Sequence, residues 1–326
     1  MTVRTFKPSR EWGLGLLTLA MVLALSAHWP QFATAASLRS ALDDTAILIL
    51  LALGQMLVIV TRGIDLSVAA NVALTGMVVA LINHAHPDAP IVLLAALAML
   101  LGGGLGAFNG LLVWRLGLPP IVVTLGSMAI FRGLVYVVSG GVWVTSDKMS
   151  PAFQELVRAP FLGFSTLSWL ALLGTIAAAL WIRYSRAGRR LYLVGSNPAA
   201  AAYVGVDPGR AQCIAFTLSG FVAGLCGYLW VARFAVAYTD VAAGFELQVI
   251  AACVIGGVSI NGGSGSVPGV LLGCLFLGVV RNALPLIGVS PFWQMAVSGL
   301  VITIAVVLNE RGRGDQHRRI LELPNT

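Results

Sequence analysis

Long, uninterrupted apolar runs constrain the fold of this chain more than any other feature of its sequence. Two examples are AILILLALGQMLVIV (46–60) and IVLLAALAMLLGGGLGAFNGLLVW (91–114). A helix that crosses the hydrocarbon layer of a bilayer needs roughly 20 apolar residues. Only 10% of the 326 residues are charged, whereas about 25% are charged in a typical soluble domain. The sequence therefore predicts an all-α, polytopic membrane protein.

We predict about ten transmembrane helices in a single domain that covers residues 1–326. The first helix follows three basic residues and is interpreted as an uncleaved signal-anchor, although ATA (33–35) leaves a cleaved signal peptide open. Alternation places both termini, residues 183–210 and the tail 309–326 on the side with most of the 20 Lys and Arg residues, which is the cytoplasmic side. The predicted spans are 12–29, 44–61, 67–83, 90–113, 119–139, 162–182, 211–232, 247–261, 266–285 and 291–308.

Glycines spaced four residues apart predict close contacts between helices, because they let two backbones approach. GGGLGA (102–107) also fits a loose dinucleotide-binding pattern, but it lies in a membrane run with no preceding strand, so we discard that interpretation. Separately, two segments are weakly similar, since each is a glycine-marked break followed by a new helix: TRGIDLSVAANVALTG (61–76) and IGGVSINGGSGSVPGVLLG (255–273). This similarity predicts two weakly related halves. The glycines predicted to pack helices are Gly102, Gly106, Gly110, Gly265, Gly269 and Gly273.

The sequence lacks the motifs of several enzyme classes, which favours a protein that is not an enzyme. It contains no GxxxxGK[ST] phosphate loop, no GxSxG elbow and no HExxH pair. The four cysteines form no CxxC pair, and His84 and His86 have no third ligand nearby, so we predict no metal and no cofactor. The basic residues are scattered, as membrane topology alone requires, so nucleic acid is excluded as a partner. No chain of carboxylates lies inside the spans, so the energy for any pumping has to come from a partner.

Residues 183–210, RYSRAGRRLYLVGSNPAAAAYVGVDPGR, interrupt the apolar sequence with five arginines. Within them, Asn197 or Ser196 is suited to cap a short helix, Pro198 fits its first position, and Gly205 can end it in a left-handed conformation. A helix this short is unstable alone in water, so it needs a surface to lie on. Two alternatives remain on these grounds: an ordinary polar loop, or a helix that docks on a partner.

Several motifs carry a family resemblance that covers residues 40–308. RAGRRLYLVGSNPAAAAYVGV (186–206) resembles the coupling loop of membrane permeases from bacterial ABC sugar importers. The chain is similar to the ribose, autoinducer-2 and rhamnose permease group, and YLWVARFAVAYTDVAAGFELQVIAACVIGG looks most like a rhamnose importer permease. The other matching motifs are TRGIDLSVAA (61–70), PPIVVTLGSMAIFRGLVYVVSGG (119–141), IGGVSINGGSGSVPG (255–269) and GVSPFWQMAVSGLVI (288–302).

The resemblance implies a transport subunit in the bacterial inner membrane. Two permease subunits, identical or related, form the path for a monosaccharide that a periplasmic binding protein delivers. A separate ATP-binding subunit then docks on the short helix and drives transport. Import of ribose or autoinducer-2 by the same mechanism, or a secondary transporter or channel, are the alternatives. The residues implied in ATPase coupling are Arg189, Arg190, Asn197, Pro198, Ala199, Ala200 and Gly205.

Polar residues inside spans are costly, so each one predicts either a bonding partner or a role in transport. We expect Arg132 to pair with a carboxylate or with freed carbonyls, and Asp65 to cap the third helix. Hydrogen bonding to a neighbouring helix is the alternative to a transport role for every candidate. The candidate residues of the translocation path are Gln55, Asn71, Asn109, Arg132, Gln248, Asn261 and Gln294.

Overall fold

The computed structural model describes residues 8–286 and the single positions 288, 293, 296, 299, 300 and 303. This part of the chain is built almost entirely from helices. The helices are α1 (Pro8–His28), α2 (Ala35–Val60), α3 (Val68–Ala85), α4 (Ile91–Leu116), α5 (Pro120–Ser139), α6 (Pro151–Arg158), α7 (Thr166–Tyr184), α8 (Arg186–Ser196), α9 (Pro198–Tyr203), α10 (Pro208–Phe234), α11 (Phe245–Ile255) and α12 (Val267–Leu286).

Four short strands and two 3₁₀ turns complete the described part. Strand β1 (Val144–Thr145) pairs antiparallel with β4 (Val236–Ala237). Strands β2 (Pro160–Phe161) and β3 (Phe164–Ser165) form a small hairpin just before α7. The 3₁₀ turns are Pro30–Ala33 and Ser146–Lys148.

Eight of the described helices are long and apolar enough to cross a membrane, which confirms the predicted all-α, polytopic fold. The most buried is α2, which lies in the centre of the bundle and contacts α7, α10, α11 and α12. Its position explains its composition, because a helix surrounded by other helices is apolar on every face. The eight helices are α1, α2, α3, α4, α5, α7, α10 and α12.

Several predicted spans differ from the structure in their extent. The predicted span 247–261 is wrong: α11 ends at Ile255, where a glycine-rich loop begins, so its 11 residues reach only about 16 Å. Helix α2 starts nine residues before the predicted 44, because the Thr34 side chain caps it. The β2–β3 hairpin delays α7 beyond the predicted 162. The span 291–308 is described at five single positions, and the tail 309–326 lies outside the described residues.

The glycine ladder of α4 lies directly against α10. A methyl group at Gly102 or Gly106 would overlap the α10 backbone, and one at Gly110 would lie 2.7 Å from the Cα atom of Cys213. On the other ladder, a methyl group at Gly269 or Gly273 would overlap the backbone of α11 or of the residue that follows it. Gly265 differs from the prediction, because it precedes α12 in a loop and so packs no helix pair.

Candidate functional site

The two glycine-marked breaks predicted from the sequence meet in the fold. The first break (residues 61–67) joins α2 to α3, and the second break (residues 256–266) joins α11 to α12. The backbone N–H of Gly263 in the second break donates a hydrogen bond of 2.9 Å to the carbonyl of Val60, at the end of α2. Arg62 in the first break adopts a left-handed backbone conformation with φ 69°. The turn of the chain at Arg62 brings its side chain to the end of α8, which the predicted topology places on the cytoplasmic side.

Helix α8 was not predicted from the sequence, because arginines and glycines mask its apolar side. The Ser185 side chain accepts a hydrogen bond of 2.8 Å from an amide of the first turn. Leu191 and Val194 are buried, whereas Arg190 is exposed. The Arg189 guanidinium donates to the last carbonyls of α7 at 3.0 and 3.3 Å, so it closes the preceding helix. Helix α8 therefore lies with one side against the bundle.

Helix α9 has the predicted form. The Asn197 side-chain oxygen accepts a hydrogen bond of 3.0 Å from the amide of Ala200, and Pro198 occupies the first helical position. At the other end Gly205 has φ 78°, and its amide bonds the carbonyl of Ala202. The helix packs inward through a single buried alanine, Ala201. Its exposed residues include Ala199, Ala200, Tyr203 and the following Val204.

The arginine junction, formed by Arg62, Gly195, Ser196 and Gly263, fastens both breaks to the end of α8. Arg62 Nε donates to the carbonyl of Gly195 at 2.7 Å, and its terminal nitrogen donates to the carbonyl of Ser196 at 3.1 Å. The Ser196 hydroxyl donates to the carbonyl of Gly263 at 3.3 Å. A methyl group at Gly195 would overlap the carbonyl of Val60. The end of α8 therefore lies directly on the backbone of both membrane breaks.

Two further side chains reinforce the arginine junction. The Tyr192 hydroxyl on α8 donates to the carbonyl of Gly265 at 3.0 Å, and burial raises the pKa of this phenol above its usual value. Gln212, near the start of α10, donates to the carbonyl of Thr61 at 2.9 Å. These bonds satisfy carbonyls that a broken helix leaves without intrahelical partners. Both breaks are thus bonded to α8. The first break is also bonded to α10, and the second is also bonded to the end of α2.

Two predicted path residues, Gln55 and Asn109, form hydrogen bonds to residues of the first break. The Gln55 amide, in its bonding orientation, donates to the Asp65 carbonyl at 3.3 Å and accepts from the Asp65 amide at 3.0 Å. Asn109 donates to the Ser67 hydroxyl at 2.8 Å. The Asp65 carboxylate accepts from the Ser67 amide and hydroxyl at 2.9 and 2.6 Å, so it does not cap the first turn of α3 as predicted. Burial raises the pKa of Asp65 to about 6.

Two other candidates also bond neighbouring backbone. Asn71 donates to the carbonyl of Gly102 at 3.1 Å, inside the packed region between α3 and α4. Arg132 donates to the carbonyls of Val241 and Thr239 at 2.6 and 3.2 Å, in the loop before α11. The expectation that Arg132 pairs with freed carbonyls is therefore confirmed.

The remaining described candidates are dispersed, so the structure does not gather the six predicted path residues that it describes around one opening. Gln248 is half-buried on α11, Asn261 is exposed in the second break, and Gln294 lies outside the described residues. Within the part of the chain that the structure describes, no group of three or more His, Cys, Asp or Glu side chains could hold a metal ion. Arg62 was not predicted as a site residue. Its only signal in the sequence is its place in the TRGIDLSVAA motif.

Eight apolar helices, with an exposed short helix α9 beside the arginine junction, define a polytopic membrane protein. Residues 37–306 match the family described as branched-chain amino acid transport system/permease component, and the chain belongs to this family. It is a multi-pass inner-membrane protein.

Relatives with curated names align over more than nine-tenths of the chain. The ribose import permease of Escherichia coli K12 is 36% identical over 298 residues, which cover 91% of each chain. The autoinducer 2 import system permease of Enterobacter sp. strain 638 is 34% identical over 322 residues, which cover 98% of this chain and 93% of the relative. The corresponding permease of Salmonella typhi is 32% identical over 305 residues, which cover 94% and 87%. No solved structure matches the chain.

Proposed function

We propose that this chain is the transmembrane permease subunit of an ATP-binding-cassette importer that carries a monosaccharide into the cell. Family membership and the import permeases among its relatives support this function. The observation that carries the proposal is the arginine junction, which bonds the end of α8 to both membrane breaks. A force applied to α8 and α9 therefore acts directly on the places where the membrane helices are interrupted.

The partner that applies this force is a separate ATP-binding subunit. Helix α9 is too short to be stable on its own, and it presents apolar surface: Tyr203 is 92% exposed and Val204 is 68% exposed. These residues supply a hydrophobic contact, and exposed Arg190 on the neighbouring α8 adds positive charge at its edge. Closure of two ATP-binding subunits then draws the α9 helices of two permeases together.

The opposite face of the bundle receives the substrate from a periplasmic binding protein. This face contains the α5–α7 connection, residues 140–165, with its helix α6 and the β2–β3 hairpin. A second permease, identical or related, completes the path. In this arrangement the binding protein supplies the affinity, so the membrane path needs only weak contacts with the sugar.

The substrate we propose is rhamnose, on the resemblance of residues 228–257 to a rhamnose permease. Ribose and autoinducer 2, named for the relatives, are the alternatives that fit the same mechanism. Uptake of labelled rhamnose and labelled ribose, in cells with and without this chain, distinguishes them. We expect deletion of this chain to abolish rhamnose uptake alone. Loss of ribose uptake alone would mean that the substrate is ribose, and the proposed mechanism would be unchanged.

An exposed alanine on α9 offers a matched test of docking. Ala199 is the second residue of α9 and follows Pro198, while Ala152 is the second residue of α6 and follows Pro151. Aspartate in a first helical turn favours the helix itself, so A199D disrupts docking without unfolding α9. We expect A199D to lower uptake by more than about tenfold with normal membrane levels, and A152D to leave uptake unchanged.

The energy source separates this proposal from a secondary transporter. Uptake that falls when ATP is depleted, and that A199D abolishes, supports the ATP-driven mechanism. Uptake that persists without ATP, collapses with the proton gradient and survives in A199D would establish a secondary transporter instead. Co-purification of the ATP-binding subunit with the A152D variant but not with A199D checks the docking step directly.

A further inference from the structure

A cavity of about 230 Å³ opens on the face of the bundle opposite the arginine junction. We call it the outer cavity. It lies where the start of α2, the end of α10, the start of α11 and the end of α12 meet. It has room for several water molecules. It is also below the 300–1,000 Å³ of a typical drug-sized site. A single sugar ring is a ligand of suitable size.

One wall of the outer cavity is aromatic. Trp230 and Phe245 form an edge-to-face pair with ring centroids 5.0 Å apart, and Phe234 lies one turn further along α10. Trp230 is also 5.2 Å from Phe234. Aromatic rings hold an amphipathic ligand through its apolar face while leaving its polar groups free. The C–H face of a sugar ring meets this requirement.

The other wall carries hydrogen-bonding groups of both kinds. It contains the carboxylate of Asp44, the guanidinium of Arg281 and the amide of Asn282. Arg281 lies over the ring of Phe245 at 5.5 Å, which holds the cation beside the aromatic wall. Asp44 forms an ion pair of 3.2 Å with Arg233, which lies next to the cavity. Donors and acceptors therefore face the same space as the rings.

Both charged groups of the lining already have partners. Asp44 is paired with Arg233 at 3.2 Å, and Arg281 lies over the ring of Phe245. A neutral ligand with many hydroxyl groups can donate to the carboxylate and accept from the guanidinium without bringing a charge that needs a further partner.

We propose that the outer cavity is a low-affinity binding site for a neutral monosaccharide, with Trp230 as its stacking platform and Asn282 and Arg281 as its hydrogen-bonding groups. This deepens the proposed function, on which it rests, by naming the residues that first receive the sugar inside the membrane domain. Sugar released on the outer face binds here before the path opens to the cytoplasm. Mutation of the cavity changes which sugar is carried, whereas mutation of the arginine junction stops transport of every sugar.

Direct binding of sugar to the full chain in lipid nanodiscs tests the site without ATP or partner proteins. Saturation-transfer NMR is recorded with L-rhamnose and with D-ribose, and empty nanodiscs provide the background. We expect signal from at least one sugar, and a rise of about tenfold in its half-saturation concentration in W230L, where the stacking ring is lost. In the control W143L, signal is unchanged, because Trp143 is on the same face but does not line the outer cavity.

A second variant covers the case in which W230L fails to fold. Asn282 is half-buried, so N282A leaves the aromatic wall intact and is expected to weaken binding by about threefold. Equal signal in wild type and whichever of these variants folds, or no signal from either sugar above empty nanodiscs, overturns the site. ATP-independent uptake with intact sugar binding to wild type would instead overturn the importer mechanism and leave the outer cavity standing.

Discussion

The arginine junction and the outer cavity lie at opposite ends of the same helices and are built in opposite ways. At the junction, the Arg62 side chain donates to the Gly195 carbonyl, Gly263 bonds Val60 and Ser196, and there is no room for a methyl group at Gly195. In the outer cavity, Trp230 and Asn282 line open space. A region that transmits force needs fixed contacts. A region that holds a transient ligand needs open space and side chains that are free to bond that ligand. Substitutions at the two ends should therefore have different consequences.

The largest effect is expected from R62G, which removes the side chain of the arginine junction. Glycine adopts the left-handed conformation of position 62 without strain, so the variant isolates the loss of two charge-assisted bonds. We expect uptake per ATP hydrolysed to fall by more than about tenfold, while the complex still assembles and still hydrolyses ATP. The measurement is sugar uptake and ATP hydrolysis by the full complex in proteoliposomes.

A lysine at this position keeps the positive charge but cannot form the same pair of bonds. R62K should therefore recover part of the lost coupling. Two outcomes would contradict a role of the arginine junction in coupling ATP hydrolysis to uptake. In the first, the assembled R62G complex takes up sugar at the normal rate. In the second, R62G and R62K only reduce the amount of assembled complex.

The next largest effect is expected from G195A, which forces the two sides of the junction apart. The added methyl group overlaps the carbonyl of Val60, and such overpacking costs about 1–3 kcal/mol. Thermal unfolding of the purified chain in detergent should show a lower midpoint. The matched control is G104A, since a methyl group at Gly104 meets nothing within 4 Å. An equal midpoint in both variants would show that the junction is loosely packed.

The smallest effect is expected at the edge of the outer cavity. R233Q removes the ion pair with Asp44, whose partners are 23% and 34% exposed. Such pairs contribute only about 0.2–1 kcal/mol, so we expect the free energy of unfolding to fall by about 1 kcal/mol at most and uptake to fall by about twofold at most. The measurements are sugar uptake in proteoliposomes and thermal unfolding of the purified chain. If R233Q lost as much uptake as R62G, the edge of the outer cavity would depend on fixed contacts as much as the arginine junction does.

Local features of the fold could be predicted from the sequence, and features that depend on distant contacts could not. The caps of α9 follow from Asn197, Pro198 and Gly205, because a cap is made by residues within a few positions of each other. The residues of the arginine junction, 62, 195 and 263, are far apart in the chain. Only packing of complete helices brings them together, so no local pattern reports their contact.

Two predicted path residues, Gln55 and Asn109, have a structural task that the sequence does not reveal. Gln55 and Asn109 are polar residues in apolar spans, which suggests a path. The structure shows that the first break creates unpaired backbone and side-chain groups within the bundle, and both amides bond there. A break in a membrane helix thus requires polar side chains for its own support. Those residues cannot be distinguished from path residues until the break is located in three dimensions.

The contact between α4 and α10 has a mechanical consequence. Gly102, Gly106 and Gly110 bring the two backbones together with no flexible side chain between them, so α4 stiffens α10 along this contact. Gln212 at one end of α10 bonds the first break, and Trp230, 18 residues on, lines the outer cavity. Those residues are about 27 Å apart along the helix axis. Gly220, at the centre of the contact, is ten residues or about 15 Å from Trp230, so a tilt of about 5° at the contact would move Trp230 by about 1 Å. In the proposed transport cycle, α10 would thus act as a lever that pivots on the glycine contact.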